Sequence, residues 1–551
     1  MSAPSPVTDN TRSLRRDLLR LLLIVVPAFI ATLGVRPLAL PDEGRYPEIA
    51  REMLLSGDLI TPRVNGLVFL DKPPLYYWFE AASMQLFGVN AWSIRLPAAL
   101  FGVLGIAIVF VTAYRLFSRR AAWCAAAVLA VNPLYFIAAQ YADMNIEIAV
   151  FVTIALCAFM LGVAEPIGSA QRRCWLYVAY AAVGLGVLTK GLIGIVFPAM
   201  VLGAWVLFGS RWRELRHWQL PSGLLLAFAI CAPWFFAAQH ANPQFFHYFF
   251  INQHFERFAK TGFNNVFPFW FYLPVVLVGL LPWSPWLPAA LRAQWRLRTE
   301  TGPHAGLRTL LLLWPLLIFV FFSIPASKIA GYILPVAPPL ALLLGDYIAR
   351  RQPALSLVPR MRVSMRGLTA AGAVFTLAVL IAFAVFDKNG NAALAGTLKQ
   401  EMNAADTLVN YRSYAQDLPL YLQTTRPIAV VDDWSNEQAI MADDNWRREF
   451  YLGLQHQPEA SEWLIDEDRL AHLIDNRAEG RRVFVVARSR DEKALTNRYP
   501  LVVISRSRSG KQVLLATPKA AAGAQSGAEQ TEPVEIGDQP VPPAADKKSA
   551  S

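Results

Sequence analysis

Charge is what this chain has least of. Only 17% of its 551 residues are Asp, Glu, Lys or Arg, while 55% are hydrophobic. A soluble protein of this length would be about a quarter charged, so an ordinary soluble fold is excluded. Cysteine is also scarce. Cys124, Cys157, Cys174 and Cys231 all lie in or beside apolar segments, and the hydrophilic C-terminal third has none. That argues against a disulfide framework and against a Cys-based zinc site. The net charge of +11 reflects Arg placed in loops between apolar runs, which orients membrane helices, and implies no nucleic-acid partner.

Long apolar runs are what the chain has instead. Segments near the roughly 20 residues needed to cross a bilayer recur through the first two thirds of the sequence. The pattern predicts a polytopic α-helical membrane protein with about eleven spanning helices. They fall near 18–37, 93–115, 121–138, 144–163, 175–189, 191–208, 221–237, 269–290, 309–324, 331–349 and 367–386. The basic N-terminus runs into LLLIVVPAFIATLGV with no A-x-A-like site, which reads as an uncleaved first span. Arg-rich connections at 115–120, 171–173, 210–216, 292–298 and 349–366 alternate with Arg-poor ones. This bias puts the N-terminus in the cytoplasm, and an odd number of spans puts 387–551 outside.

Three regions follow. Residues 1–386 form the membrane part, with 38–92 as its first outer loop. Within that loop RYPEIAREMLLSG, with Tyr46, Ile49 and Met53 on one face, and PLYYWFEAASMQLFG read as interfacial helices. Residues 387–517 alternate candidate strands (TLVNY, PIAVVDD, RVFVVA, PLVVISR, KQVLLAT) with helical stretches (SNEQAIMADDNWRREFYLGL, SEWLIDEDRLAHLI), which predicts a small α/β domain. Residues 518–551 have almost no large apolar side chain and are expected to be disordered.

The chemistry-bearing residues gather in the outer loops. Asp42 and Glu43 follow the end of the first span, and Asp71 and Lys72 precede Pro73 and Pro74. Asp143 follows the third span, while Lys190 and Lys328 sit at outer helix ends. Each has a plain reading: Asp42 or Asp143 as a helix cap, Asp71–Lys72 as a surface ion pair, the lysines as partners of helix dipoles. Several acids and cations facing one compartment nevertheless resemble a pocket. An outer face has no nucleotide supply, so a transferase there needs a donor activated in the lipid, such as a polyprenyl phosphate sugar. Lys, Arg or Tyr would stabilise the departing phosphate, and a carboxylate would serve a hydroxyl nucleophile. In the loop 238–268, His247, His254, Glu256 and Arg257 leave a divalent metal open. Polar anchoring is the commoner reading of such residues, and no cofactor is assigned.

The motifs PDE-x-RY-x-EI-x-REM, DKPPLYYW, HYFFINQHFERF and SK-x-x-GYILP-x-x-PPLALL occur in that order across 38–345. Together they resemble the ArnT-like lipid A aminoarabinose transferases, membrane glycosyltransferases of the GT-C fold related to the protein mannosyltransferases. YRSYAQDLPLYL (411–422) resembles the start of that family's periplasmic domain. The resemblance implies a GT-C membrane protein of the bacterial inner membrane whose small C-terminal α/β domain is periplasmic. It implies transfer of a sugar from undecaprenyl phosphate to lipid A or another envelope glycan, with inversion, the sugar being 4-amino-4-deoxy-L-arabinose in the family. Another sugar or a protein acceptor, and a lipid-linked sugar flippase, are the alternatives. By motif, Asp42 matches the family's essential acid and Asp143 the acid after the third span, with Asp71 completing the acidic set. Lys72, Arg257 and Tyr332 would hold the donor phosphate, and Glu43, Arg45 and Lys328 would line the substrate pocket. The family's E-K-P is D-K-P here, and Gln253 stands where Glu is expected. Only one span, 367–386, precedes the C-terminal domain, where the family usually has more.

Overall fold

The computed structural model describes residues 6–249, 266–298, 306–351, 364–386, 388–442, 445–478 and 480–519. The apolar part runs as α1 (Pro6–Ile30), two short helices of the first loop, α2 (Asp42–Ser56) and α3 (Leu75–Phe87), then α4 (Ala91–Leu116), α5 (Arg119–Ala130), α6 (Pro133–Ala138), α7 (Asn145–Ala164), α8 (Ala170–Lys190), α9 (Ile193–Gly209) and α10 (Leu220–Ala241). It continues with α11 (Tyr272–Gly279), α12 (Leu287–Leu297), α13 (Leu307–Ser323), α14 (Ala337–Arg351) and α15 (Met365–Phe386). Side-chain caps mark several starts. Asn90 accepts from the Trp92 and Ser93 amides at 3.0 Å each, Ser118 from Ala121 at 3.0 Å and Ser169 from Arg172 at 3.1 Å.

Among the described residues, five helices are long and apolar enough to cross a membrane, and six if one bent pair counts as a single span. The expected spans correspond to helical segments, but several fall short. The helices α9 and α13 have 17 residues each. The expected helix 121–138 is split because Pro133 cannot donate to the ladder, and Asn132 caps a new start, accepting from the Tyr135 amide at 2.9 Å. The expected span 269–290 is not one helix. It breaks after Gly279 and turns by 112° into Ser284–Leu297, where Pro282, Pro285 and Pro288 interrupt the backbone ladder. The second arm buries Leu287, Ala290 and Gln294 and exposes Arg292 and Arg296, a surface-lying amphipathic pattern.

The C-terminal part holds a six-stranded mixed sheet. With β1 (Arg63–Val64) and β2 (Leu67–Val68) forming a small ribbon in the first loop, the sheet strands are β3 (Thr407–Tyr411), β4 (Ala429–Val431), β5 (Leu464–Ile465), β6 (Val483–Arg488), β7 (Val502–Arg506) and β8 (Gln512–Ala516). Their order is β5-β4-β3-β6-β8-β7, with β5, β4, β3 and β6 parallel and β8 antiparallel to both neighbours. The stretch SEWLIDEDRLAHLI, expected to be helical, is instead split. Leu464–Ile465 is the edge strand, and Asp466 caps a helix Glu467–Asp475 by accepting from the Arg469 amide at 2.9 Å. The long stretch before it divides into Glu437–Ala442 and Trp446–His456.

The first loop carries this sheet domain. Ile49 and Met53 of α2 and Tyr76 and Tyr77 of α3 share one apolar cluster with Tyr414, Leu420, Val430 and Phe450. The apolar face expected to lie against lipid is therefore covered by protein. Polar contacts stitch the same seam. The Asn65 side chain brackets Ile428 at 2.7 and 3.0 Å, Leu38 donates to Tyr421 at 2.9 Å, and Arg51 donates to the Thr424 carbonyl at 2.7 Å. Gly44 lets the parts approach: a Cβ there would sit 2.9 Å from the Gln416 carbonyl carbon.

Candidate functional site

The site is built on a buried acid. Glu43, the second residue of α2, is 0% exposed. Its carboxylate accepts from Arg36 at 2.5 and 3.0 Å and from Arg95 of α4 at 2.7 and 2.8 Å. The backbone amides of Ala39 and Ala142 add bonds of 2.8 and 3.0 Å. Burial pushes this carboxyl up, but the Arg95 and Arg36 charges outweigh it and hold it at about 2. The arginines spend their remaining donors on carbonyls, Arg95 on Leu33, Arg36 and Pro37, and Arg36 on Gln140. One fully bonded network thus fixes residues 33–43 against the turn 139–142.

With Glu43 turned inward, the preceding Asp42 faces outward, its side chain 31% exposed. It accepts from Arg45 Nη2 at 3.2 Å. Arg45 also bonds Glu449 of the C-terminal domain and lies over the rings of Tyr46 and Phe69, 5.0 and 5.7 Å from their centroids. Burial lowers the tendency of Arg45 to stay charged, yet Glu449, Tyr46, Asp42 and Asp71 together hold it well above its usual range. Asp71 is buried and accepts from the Tyr248 hydroxyl.

Asp143 approaches from the turn before α7. Asn145 donates to it through its amide at 2.7 Å and its side chain at 2.5 Å. Burial, and then the negative charge of Asp42, push this carboxyl up to about 7 against the opposing charge of Lys190. Lys190 bonds the Asn145 side chain and lies 4.8 Å from the Tyr332 ring centroid, and Tyr332 stacks on Phe322 at 5.6 Å. Tyr46 feels Arg45, Asp42, Tyr332 and Asp143. Asp42, Asp71, Asp143, Arg45 and Tyr332 are therefore brought to one place.

The other residues singled out in the sequence fall differently. Lys72 is half-buried beside Asp71, two residues before Pro74 at the head of α3. Glu43 is sealed beneath the site. Lys328 is buried and donates to the carbonyls of Phe267, at 3.1 Å, and Pro325; among the described residues no contact joins it to the acidic cluster. Arg257, with His254 and Glu256, lies outside the described residues, and His247 is exposed at the edge of that segment. Among the described residues no group of three or more His, Cys, Asp or Glu is arranged to hold a metal ion.

Four contributors were not singled out as site residues from sequence. Arg36 and Arg95 carry a readable signal, since an arginine at the edge of an apolar run demands an acidic partner. Tyr248 and Glu449 carry none, because each reaches the site only through the fold.

The chain is similar to known membrane transferases in sequence and fold. Residues 71–236 match the family model described as dolichyl-phosphate-mannose-protein mannosyltransferase. The undecaprenyl phosphate-alpha-4-amino-4-deoxy-L-arabinose arabinosyl transferase of Edwardsiella ictaluri is 37% identical over 332 residues, 60% of this chain and 59% of that protein. The Aeromonas salmonicida enzyme of the same name is 33% identical over 373 residues, 67% of each chain. The crystal structure of ArnT from Cupriavidus metallidurans bound to undecaprenyl phosphate superposes with a TM-score of 0.77 at 27% identity, covering 92% of this chain and 99% of that one. The oligosaccharyltransferase AglB from Archaeoglobus fulgidus, at 15% identity and a TM-score of 0.52, shares the fold. The fold and the cluster above it define a helical membrane protein of the GT-C class. Within that class the chain belongs to the ArnT-like family, named for the aminoarabinose transferases.

Proposed function

We propose that the chain is an inner-membrane glycosyltransferase that moves a sugar from undecaprenyl phosphate to lipid A or a related envelope glycan at the periplasmic face. The donor sugar is 4-amino-4-deoxy-L-arabinose, the sugar in the names of its relatives. The observation that carries the reading is the convergence of Asp42, Asp71 and Asp143 with Arg45, Lys190 and Tyr332 at the outer ends of helices. The Arg-rich connections on the opposite side support a cytoplasmic N-terminus and a periplasmic C-terminal domain.

The chemistry asks little of a protein beyond charge placement. The bond from the anomeric carbon to the phosphate oxygen breaks, and the phosphate leaves with the electron pair. An acceptor oxygen attacks from the opposite face, so the configuration inverts in one displacement. Lys72 and Tyr332, with Arg257, bind the leaving phosphate, since donors aimed at developing charge supply the main stabilisation. A phosphate acceptor needs no base. A hydroxyl acceptor passes its proton to Asp42, and Asp143 is the second carboxyl within reach. Asp71 and Glu449 supply negative charge for the sugar's ammonium group, while Glu43 positions the loop that carries Asp42. Arg45 keeps the acids in place between transfers.

The divalent-metal reading rests on His247, His254, Glu256 and Arg257 of the loop 238–268, and the displacement above needs no metal. The reading is tested with the purified full chain in proteoliposomes holding undecaprenyl phosphate-aminoarabinose and lipid A. Mass spectrometry should find lipid A heavier by one aminopentose, with undecaprenyl phosphate released in equal amount. Release of the sugar to water alone, or no release, would contradict it.

A further inference from the structure

A crevice opens where α15 hands over to the C-terminal sheet domain. It is open to solvent and lies between an apolar side of Pro37, Leu38 and Ala384 and the cations Arg36, Lys388 and Arg508. The three cations come from the first loop, the exit of the last apolar helix and the β7–β8 turn. Arg36 is committed to Glu43 and lies 4.8 Å from the Phe383 ring centroid. Lys388 and Arg508 are exposed, and among the described residues neither has an ion-pair partner. Lys511 adds a further cation nearby, bonded to Asn389 at 3.3 Å. Glu43 is taken up by Arg36 and Arg95, and Asp417, near Gly390, is also occupied: Asn391 donates to it through its amide and side chain, at 2.7 Å each. Gly390 holds the crevice narrow, since a Cβ there would fall 2.8 Å from the Leu38 carbonyl oxygen.

Directly below, α15 presents an unpartnered apolar stripe. Val374, Leu377, Ile381 and Val385 recur every three or four residues and are all exposed, with Phe386 exposed at the helix end. In a membrane chain such a stripe faces acyl tails. Here it ends beside Lys388 and Arg508, which no acid among the described residues neutralises.

We propose that this crevice binds the headgroup phosphate of an anionic membrane lipid, with the lipid's tails lying along the exposed face of α15. Charge complementarity favours the phosphate. The apolar stripe favours a lipid over free phosphate, which would leave the stripe unused. The site stands apart from the acidic cluster but touches it through one side chain. Arg36 lines the crevice and bonds Glu43, the residue next to Asp42. A bound headgroup would therefore brace the loop that carries Asp42.

The test uses the full chain, purified in a neutral detergent, with bound lipid counted by native mass spectrometry. Phosphatidylglycerol, phosphatidylcholine and inorganic phosphate are titrated against the wild type, K388Q/R508Q, K388R/R508K and K72M. The wild type should hold phosphatidylglycerol in preference to phosphatidylcholine, and millimolar inorganic phosphate should not displace it. K388Q/R508Q should weaken that binding roughly thirtyfold, the effect of two basic contacts to a charged lipid. K388R/R508K should retain it, which separates lost charge from misfolding. Equal binding of the two lipids, unchanged binding in K388Q/R508Q, or displacement by inorganic phosphate would each overturn the proposal. Loss of phosphatidylglycerol in K72M, with K388Q/R508Q unaffected, would also overturn it, because the lipid would then sit in the donor site. The glycosyltransferase reading would survive that result.

Discussion

Glu449, on the helix Trp446–His456 of the C-terminal domain, bonds Arg45 of α2. Arg45 in turn bonds Asp42 at 3.2 Å. The sheet domain is thus more than a cap on the membrane part, because it supplies one of the charges that set the site.

Removing that charge should be felt in turnover and not in folding. Glu449→Gln is expected to lower kcat/KM about tenfold, on the order of one charge-assisted hydrogen bond. Its thermal midpoint in detergent should stay close to the wild type, since Arg45 keeps Asp42 as an acidic partner and Gln can still accept its hydrogen bond. Steady-state kinetics and a melting curve on the same sample check this.

The Glu43 network makes the opposite prediction. Arg95→Met removes one of two guanidiniums from a fully buried carboxylate and strips the Leu33, Arg36 and Pro37 carbonyls of a donor. The expected cost is about 3–5 kcal/mol of stability, read as a large fall in the thermal midpoint. The sign with pH follows from the carboxyl held at about 2 against an unperturbed 4.5. Its contribution is present above about pH 4.5 and is lost as pH falls towards 2.

Asp143 behaves in the reverse sense. Its carboxyl lies at about 7 in the folded chain against 3.8 unperturbed, so the folded state holds the extra proton between those values. Stability from this group falls as pH rises from about 4 to about 7 and is flat above. If the ionised form works in transfer, the rate rises through about pH 7, and Asp143→Asn abolishes that limb. A pH–rate profile of the two proteins, run with thermal melts across the same range, checks both statements.

The sequence made some of this legible. Binary apolar patterning located most helices, and the short run TLVNY falls on β3 (Thr407–Tyr411), a central strand buried at every residue but the first. The cluster of Asp42, Asp71 and Asp143 was legible because carboxylates are rare in so apolar a chain and each stands at a helix end. Prolines 282, 285 and 288 were in plain view, but apolar length outweighed them, so the 112° bend was missed. The LI of SEWLIDED reads as helix because two residues are too few to show a period, and only pairing with β4 makes them a strand. By spacing alone Asp42 and Glu43 form one acidic pair. They differ by one helical step, and only the positions of Arg36 and Arg95 decide which faces inward. Glu449 lies 404 positions from Arg45, a pairing that no local pattern encodes.

The most direct measurement is mass spectrometry of lipid A from three strains: one lacking this chain, one with the wild type restored and one with Asp42→Asn. Loss of an aminopentose in the null, its return with the wild type and its absence with Asp42→Asn present at normal levels in the membrane is the predicted result. Lipid A identical in all three strains, under conditions where the wild-type chain is abundant, would contradict the assignment of aminoarabinose and lipid A.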